Sequence, residues 1–229
     1  MFLSGKCLIS GSISALGLVF LPLKAMSCGV ALLLAIDVSF SIDTAEYNLQ
    51  ASGMASALHQ QDVQLAIGAS PGGVAMAVIQ WSGGDEQFLA LTWTLLSSPT
   101  DIDNFASNIA TMPRAFTGDT APGSALEYGI ALHDANPWHC LRRVIDLSGD
   151  GSQNSGVDTG LASYAAAKSD VTVNGLAILG SDRNIEQFFL QNVVRGPNSF
   201  LEITSGFNDF ERVFHKKLLR ELPIFLSGL

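Results

Sequence analysis

Apolar runs of strand length alternate along the chain with segments whose apolar residues recur every three or four positions. The run Val30–Ile36 is continuously apolar, which predicts a central parallel strand covered on both faces. Behind it, Asp43 and Glu46 have capping-box spacing, and Tyr47, Ala51, Met54 and Leu58 follow at helical spacing. Val74–Trp81 and Phe88–Trp93 are β-rich and flank Ser82-Gly83-Gly84-Asp85, which predicts a hairpin. A short helix is expected over Asp101–Thr111, a loop over Pro113–Thr120 and a helix over Ser124–His133. Arg143–Leu147 reads as a strand, although Asp146 interrupts its apolar character. A helix near Gly160–Lys168, a strand at Val171–Leu179, a helix near Ile185–Val194 and a short strand at Ser199–Ile203 complete the alternation. The last helix carries Phe210, Val213, Phe214 and Leu218 on one face and stops before Pro223.

Strand–helix alternation with one hairpin predicts a three-layer α/β/α, doubly wound fold, its sheet mostly parallel with one antiparallel edge strand. Ligands of such sheets bind beyond the carboxyl ends of the strands, where strand order reverses. Asp37 and Asp150 both fall at strand ends of this kind.

The 229 residues fit one sizeable domain and little else. Residues 1–27 read as a signal peptide and 28–229 as the domain. Lys6 supplies a short basic region, Leu8–Leu23 is apolar, and Ala25-Met26-Ser27 offers small residues at cleavage spacing, after Ala25 or after Ser27. The stretch is short and rich in Gly and Ser for a membrane span; an uncleaved anchor is the alternative. The expected location is therefore the periplasm or the exterior, with no stable membrane span once the leader is cleaved. The net charge of −9 argues against nucleic acid as a partner, because phosphate binding needs clustered Lys and Arg. Lys216, Lys217 and Arg220 do cluster, but in the terminal helix, where they are expected on its solvated face.

Without the leader, Cys28 and Cys140 remain as an even pair, suited to an oxidising compartment. Cys28 lies nine residues before Asp37 and Cys140 ten before Asp150. If the two strands are parallel neighbours, both cysteines share one sheet edge and a Cys28–Cys140 disulfide is expected; two buried free thiols are the alternative.

Three segments carry candidate chemistry. Asp37-Val38-Ser39-Phe40-Ser41 brings one carboxylate and two hydroxyls to a single strand end. Thr120 lies in a loop that opens a helix at Gly123-Ser124-Ala125-Leu126, and Asp150 ends a strand before Gly151. Hard divalent cations take oxygen ligands of this kind. Helix capping by Asp37-x-Ser39-x-Ser41 and a simple turn at Asp150-Gly151 are the plainer readings of the same residues.

In order and context the three segments resemble the metal-ion-dependent adhesion site of the von Willebrand factor A-type domain. That pattern is Asp-x-Ser-x-Ser, then a Thr shortly before a Gly-x-Ala-Leu helix start, then a strand ending in Asp-Gly. It falls on Asp37, Ser39 and Ser41, then Thr120, then Asp150, and the resemblance spans about Gly29 to Leu222. Val144-Ile145-Asp146-Leu147-Ser148-Gly149-Asp150-Gly151 and Asn174-Gly175-Leu176 further resemble a bacterial branch of exported A-type proteins catalogued as a domain of unknown function. The resemblance implies Mg²⁺ (or Mn²⁺) at Asp37, Ser39, Ser41, Thr120 and Asp150. It also implies non-covalent binding of an extracytoplasmic protein that presents an Asp or Glu to the metal. With three neutral hydroxyls, two carboxylates at most offset the ion's charge, so it stays attractive to an outside acid.

Two departures stand out. Asp146 lies inside a central strand, where an unpaired acid costs several kcal/mol; Arg142, Arg143 or a hydroxyl near the metal are candidate partners. Phe40 sits between the two serines, at the expected rim of the site. The chain has no His-Glu-x-x-His, phosphate loop or nucleophile elbow, and His59, His133, His139 and His215 lack metal spacing. The expectation is therefore a non-enzymatic binding domain. A metal-dependent hydrolase using the same site, or an assembly factor whose metal is structural, are the alternatives.

Overall fold

The computed structural model describes Met1 and residues 28–222; the segment read as a signal peptide lies outside the described residues apart from Met1. Six strands form one sheet in the order β3-β2-β1-β4-β5-β6. They are β1 (Cys28–Asp37), β2 (Val74–Trp81), β3 (Gln87–Leu96), β4 (Cys140–Gly149), β5 (Val171–Ile178) and β6 (Leu201–Thr204). All neighbours run parallel except β2 and β3, so β3 is the antiparallel edge strand. Every residue of β1 is buried, the result of placing a strand that is apolar from Val30 to Ile36 at the centre of a sheet with helices on both sides.

One face carries α1 (Thr44–His59), α2 (Gln61–Ala69), α3 (Pro99–Thr111) and α7 (Phe210–Glu221). The other carries α4 (Pro122–Asp134), α5 (Thr159–Lys168) and α6 (Ile185–Phe188), which runs on into a π-helical turn at Phe189–Val193. Side chains of β1 alternate between the two cores, Leu32, Leu34 and Ile36 toward α1 and Leu33 and Ala35 toward α4. The predicted capping box is formed: Asp43 accepts from the Glu46 N–H, and Glu46 accepts from the Asp43 N–H, each at 2.8 Å. The sequence reading missed the short helix α2, and the helix expected over Ile185–Val194 is one α-turn followed by the π turn.

Cys28 and Cys140 are register partners on adjacent parallel strands and are joined in a disulfide, their Cα atoms 4.5 Å apart. Among the described residues no helix is long and apolar enough to cross a membrane.

The terminal helix corrects one expectation. Lys216 and Arg220 are half-exposed and reach Glu202, but Lys217 is fully buried. Its Nζ lies 2.6 Å from Asp146 Oδ1 and 2.9 Å from Glu221 Oε1, and Asn174 Nδ2 donates to both Glu221 oxygens at 2.9 and 2.8 Å. Asp146 is thus paired by α7 and not by its strand neighbours: Arg142 donates to the Glu221 carbonyl, and Arg143 to Asp134 and the Ser169 carbonyl. Burial opposes the Lys217 charge, but the two carboxylates outweigh it and raise its pKa. Burial pushes the Asp146 carboxyl up to about 6, against the pull of Lys217 and with the help of Glu221, since one ammonium cannot neutralise two carboxylates.

Candidate metal site

The sheet's order reverses between β1 and β4: the chain moves from β1 outward to β2 and β3, then returns to the far side of β1. Their carboxyl ends define a crevice. Asp37 is the last residue of β1, and Asp150 follows the last residue of β4, with Ile36 paired to Ser148. Both carboxylates therefore arrive at one place because two central strands end level with each other.

Beyond β1 the chain turns on its own side chain: the Ser39 N–H donates to Asp37 Oδ1 at 2.8 Å. This turn brings the Ser39 and Ser41 hydroxyls to 3.2 Å of each other, and Ser41 donates to Asp150 Oδ1 at 2.6 Å. The loop is fastened from outside by Arg114, whose Nη2 donates at 2.9 Å to the carbonyls of Val38 and Ser39. Gln50 holds the Asp37 carbonyl at 3.1 Å. Gly149 has no side chain where one is excluded: a Cβ there would stand 2.9 Å from Asp37 Oδ2 and 3.3 Å from the Trp81 ring.

Thr120 completes the set from the loop before α4. Its Oγ1 and Cγ2 stand 3.7 and 3.5 Å from the point a Cβ on Gly151 would occupy, directly beside Asp150. Asn154 fixes it there, accepting from the Thr120 N–H at 2.8 Å and returning its own N–H to the Thr120 carbonyl at 3.0 Å. Phe40, Ser41, Thr120 and Asn154 line a cavity of about 380 Å³ that opens at this end of the sheet. Of the five sequence-predicted residues, hydrogen bonds and strand register join Asp37, Ser39, Ser41 and Asp150 at one strand-end crevice, and Thr120 stands in the adjoining loop, against Gly151 and lining one cavity with Ser41.

Four supporting residues carried no motif and were missed: Arg114, Asn154, Ser181 and Asp182. Ser181, in the loop after β5, donates its hydroxyl to Asp150 Oδ2. Asp182 accepts from the Ser152 N–H at 3.1 Å and from its hydroxyl. The β5–α6 loop is therefore stitched to the Asp150 loop at two points.

The electrostatics are unbalanced at Asp37. Its Oδ2 is buried and has no hydrogen-bond partner. Burial raises its carboxyl to about 7; bonds from Ser39 partly offset the rise and the nearby Asp150 carboxylate adds to it. A buried acid without a cationic partner is costly, and no Lys or Arg side chain reaches Asp37 or Asp150 among the described residues. Nor do three His, Cys, Asp or Glu side chains gather as a metal cluster among the described residues; the donor set is two carboxylates and three hydroxyls. Neutral and anionic oxygens around an unpaired buried carboxylate fit a hard divalent cation.

Solved structures of similar fold include proximal thread matrix protein 1 from the mussel byssus, with a zinc-occupied MIDAS motif. It is 17% identical with a TM-score of 0.61 over 85% of this chain and 46% of that one. A von Willebrand factor type A protein from Catenulispora acidiphila is 15% identical with a TM-score of 0.59 over 85% and 43% of the two chains. The pilus adhesin SpaC from Lactobacillus rhamnosus GG is 16% identical with a TM-score of 0.61 over 85% and 30%. The chain thus spans less than half the length of these neighbours. No curated protein sequence matches it. The fold is that of the von Willebrand factor A-type domain, and, with residues 27–224 matched by its profile, the chain belongs to the family described as "Protein of unknown function (DUF1194)".

Proposed function

We propose that Asp37, Ser39, Ser41, Thr120 and Asp150 hold a divalent cation, Mg²⁺ or Mn²⁺, and that through it the domain binds another protein. The partner is extracytoplasmic and offers an Asp or Glu carboxylate; the role is recognition, without turnover. The observation that carries this reading is the buried, unpartnered Oδ2 of Asp37 beside a second carboxylate and the serine hydroxyls. Bound there, a divalent ion supplies the missing positive charge and an electrophilic position for an outside oxygen. The disulfide supports action in an oxidising compartment, reached through the expected leader. The adhesin and pilin among the structural neighbours are in keeping with a binding role.

Isothermal titration with Mg²⁺ and Mn²⁺, each with and without chelator, tests the site. Saturable binding that disappears in Asp37→Ala and Asp150→Ala, with the circular dichroism of the fold retained, is the expected result. No binding of either ion to the wild-type protein refutes the reading. Metal-dependent cleavage of an ester or phosphate that is lost in the same variants would replace recognition by hydrolysis.

A further inference from the structure

A groove of about 600 Å³ runs beside the site, between the first turns of α1 and the loops that follow β5 and β6. Leu49 and Leu179 form its apolar walls, each 38% exposed, with Phe207 at the base. Ser181 belongs to groove and site together, lining the one while its hydroxyl is bonded to Asp150 Oδ2 in the other. A chain that places a carboxylate at the site therefore has this groove as its immediate continuation.

The groove's chemistry narrows what enters it. None of the described residues lining it is basic, and its one carboxylate, on Glu46, is already held by the Asp43 N–H. A second acid finds no cation there, and although Glu46 Oε1 stays open to a donor, the walls and base given by Leu49, Leu179 and Phe207 are apolar carbon that an aliphatic or aromatic side chain covers and a polar one does not. Gly180 and Gly206 border the groove at φ +149° and +148°, and a Cβ would meet nothing within 4 Å at the first and only the Leu179 carbonyl at 3.8 Å at the second. An incoming backbone can approach both closely. Phe40, 85% exposed, lines the separate cavity beside Ser41 and Thr120, a further apolar contact for a segment seated at the site.

We infer that the groove of Leu49, Leu179 and Phe207 is a specificity subsite, and that the partner is a protein segment in which the metal-seeking Asp or Glu is flanked by an aliphatic or aromatic side chain. The inference rests on the metal reading above and adds to it the residue beside the acid. Carboxylate capture alone accepts any exposed acid; the groove selects among them.

Two capped peptides serve as probes, Gly-Leu-Asp-Leu-Gly and Gly-Gly-Asp-Gly-Gly, titrated calorimetrically into the full chain with Mg²⁺. The Leu-bearing peptide is expected to bind about tenfold more tightly, the worth of partly burying one aliphatic side chain. In Leu179→Ser, and separately in Leu49→Ser, that advantage shrinks while the affinities for Mg²⁺ and for the Gly peptide stay as in wild type. Both positions are partly exposed, so the fold should tolerate them, and unchanged Mg²⁺ affinity reports that it has. Equal affinity for the two peptides, or an advantage that survives both substitutions, overturns the groove while leaving the metal site standing. Mg²⁺ binding with no capture of either peptide overturns the groove and the carboxylate bridge together. Absent Mg²⁺ binding overturns the metal reading from which all of this follows.

Discussion

Asp37 ends β1, Asp146 lies in the middle of β4, and neither carboxyl is open to solvent. Asp146 is answered within the chain by the ammonium of Lys217, delivered by α7 from 71 positions away and flanked by Glu221 and Asn174. Asp37 Oδ1 is answered by the Ser39 N–H, a neutral donor. Each acid leaves its Oδ2 buried without a partner, so what separates them is the cation: Asp146 has one on Oδ1 and Asp37 has none among the described residues. The same residue type at the same depth is charge-paired in one place and left without a counter-charge in the other, and the proposed ion answers the second.

The largest effect is expected at the charge pair. Lys217→Met strands two buried carboxylates and should lower unfolding stability by about 3–5 kcal/mol, read from urea melts. Replacing Asp146 by Leu, Lys217 by Met and Glu221 by Gln together, which leaves no stranded carboxylate, should restore most of that loss. A single-variant loss under about 1 kcal/mol would mean that Asp146 is no better neutralised than Asp37.

Next comes the acid without a counter-charge. A native carboxyl raised from 3.8 to about 7 binds its proton more tightly than the unfolded chain does. Its contribution is therefore fully present below about pH 4 and is lost as pH rises toward 7, by up to roughly 4 kcal/mol without metal. Asp146 adds a smaller slope of the same sign that ends near pH 6. Stability measured in chelator across this range should fall, and Asp37→Asn should remove the part that extends to pH 7. A flat profile in wild type would sink the assignment.

Mg²⁺ at a hundred times its dissociation constant should stabilise the protein by about 2.7 kcal/mol at pH 7. Asp37→Asn should abolish that gain and Asp146→Asn should keep it, which separates the two acids by a thermal-shift measurement. The smallest expected change is in Ser181→Ala. Loss of the hydroxyl on Asp150 Oδ2 should weaken Mg²⁺ binding about tenfold, with the unfolding midpoint in chelator little altered.

Local signals were legible in the sequence. The apolar run of β1, the hairpin glycines, the Asp43–Glu46 box and the spacing that places Asp37 and Asp150 at strand ends all depend on near neighbours. What was lost depends on distant ones. Lys217 was read as solvated because it sits among Lys216 and Arg220, yet it lies four residues after Val213 and three after Phe214, within the buried stripe of α7. An apolar stripe interrupted by Lys217 and Glu221, set against an acid inside a strand, was the available clue. Ser181 and Asn154 carry no such clue, since a hydroxyl or amide in a loop is ordinary until the fold shows what it faces. The helix α2 has only Val63, Ala66 and Ile67 to mark it, a pattern too short to stand apart from the helix before it.

The covalent link between Cys28 and Cys140 joins the starting edges of the two strands whose far ends carry Asp37 and Asp150. With that end closed, β1 and β4 cannot unzip from the cystine outward, and any separation of the two has to start at the crevice. Reduction would lift this constraint and leave the relative height of the two aspartates to backbone pairing alone.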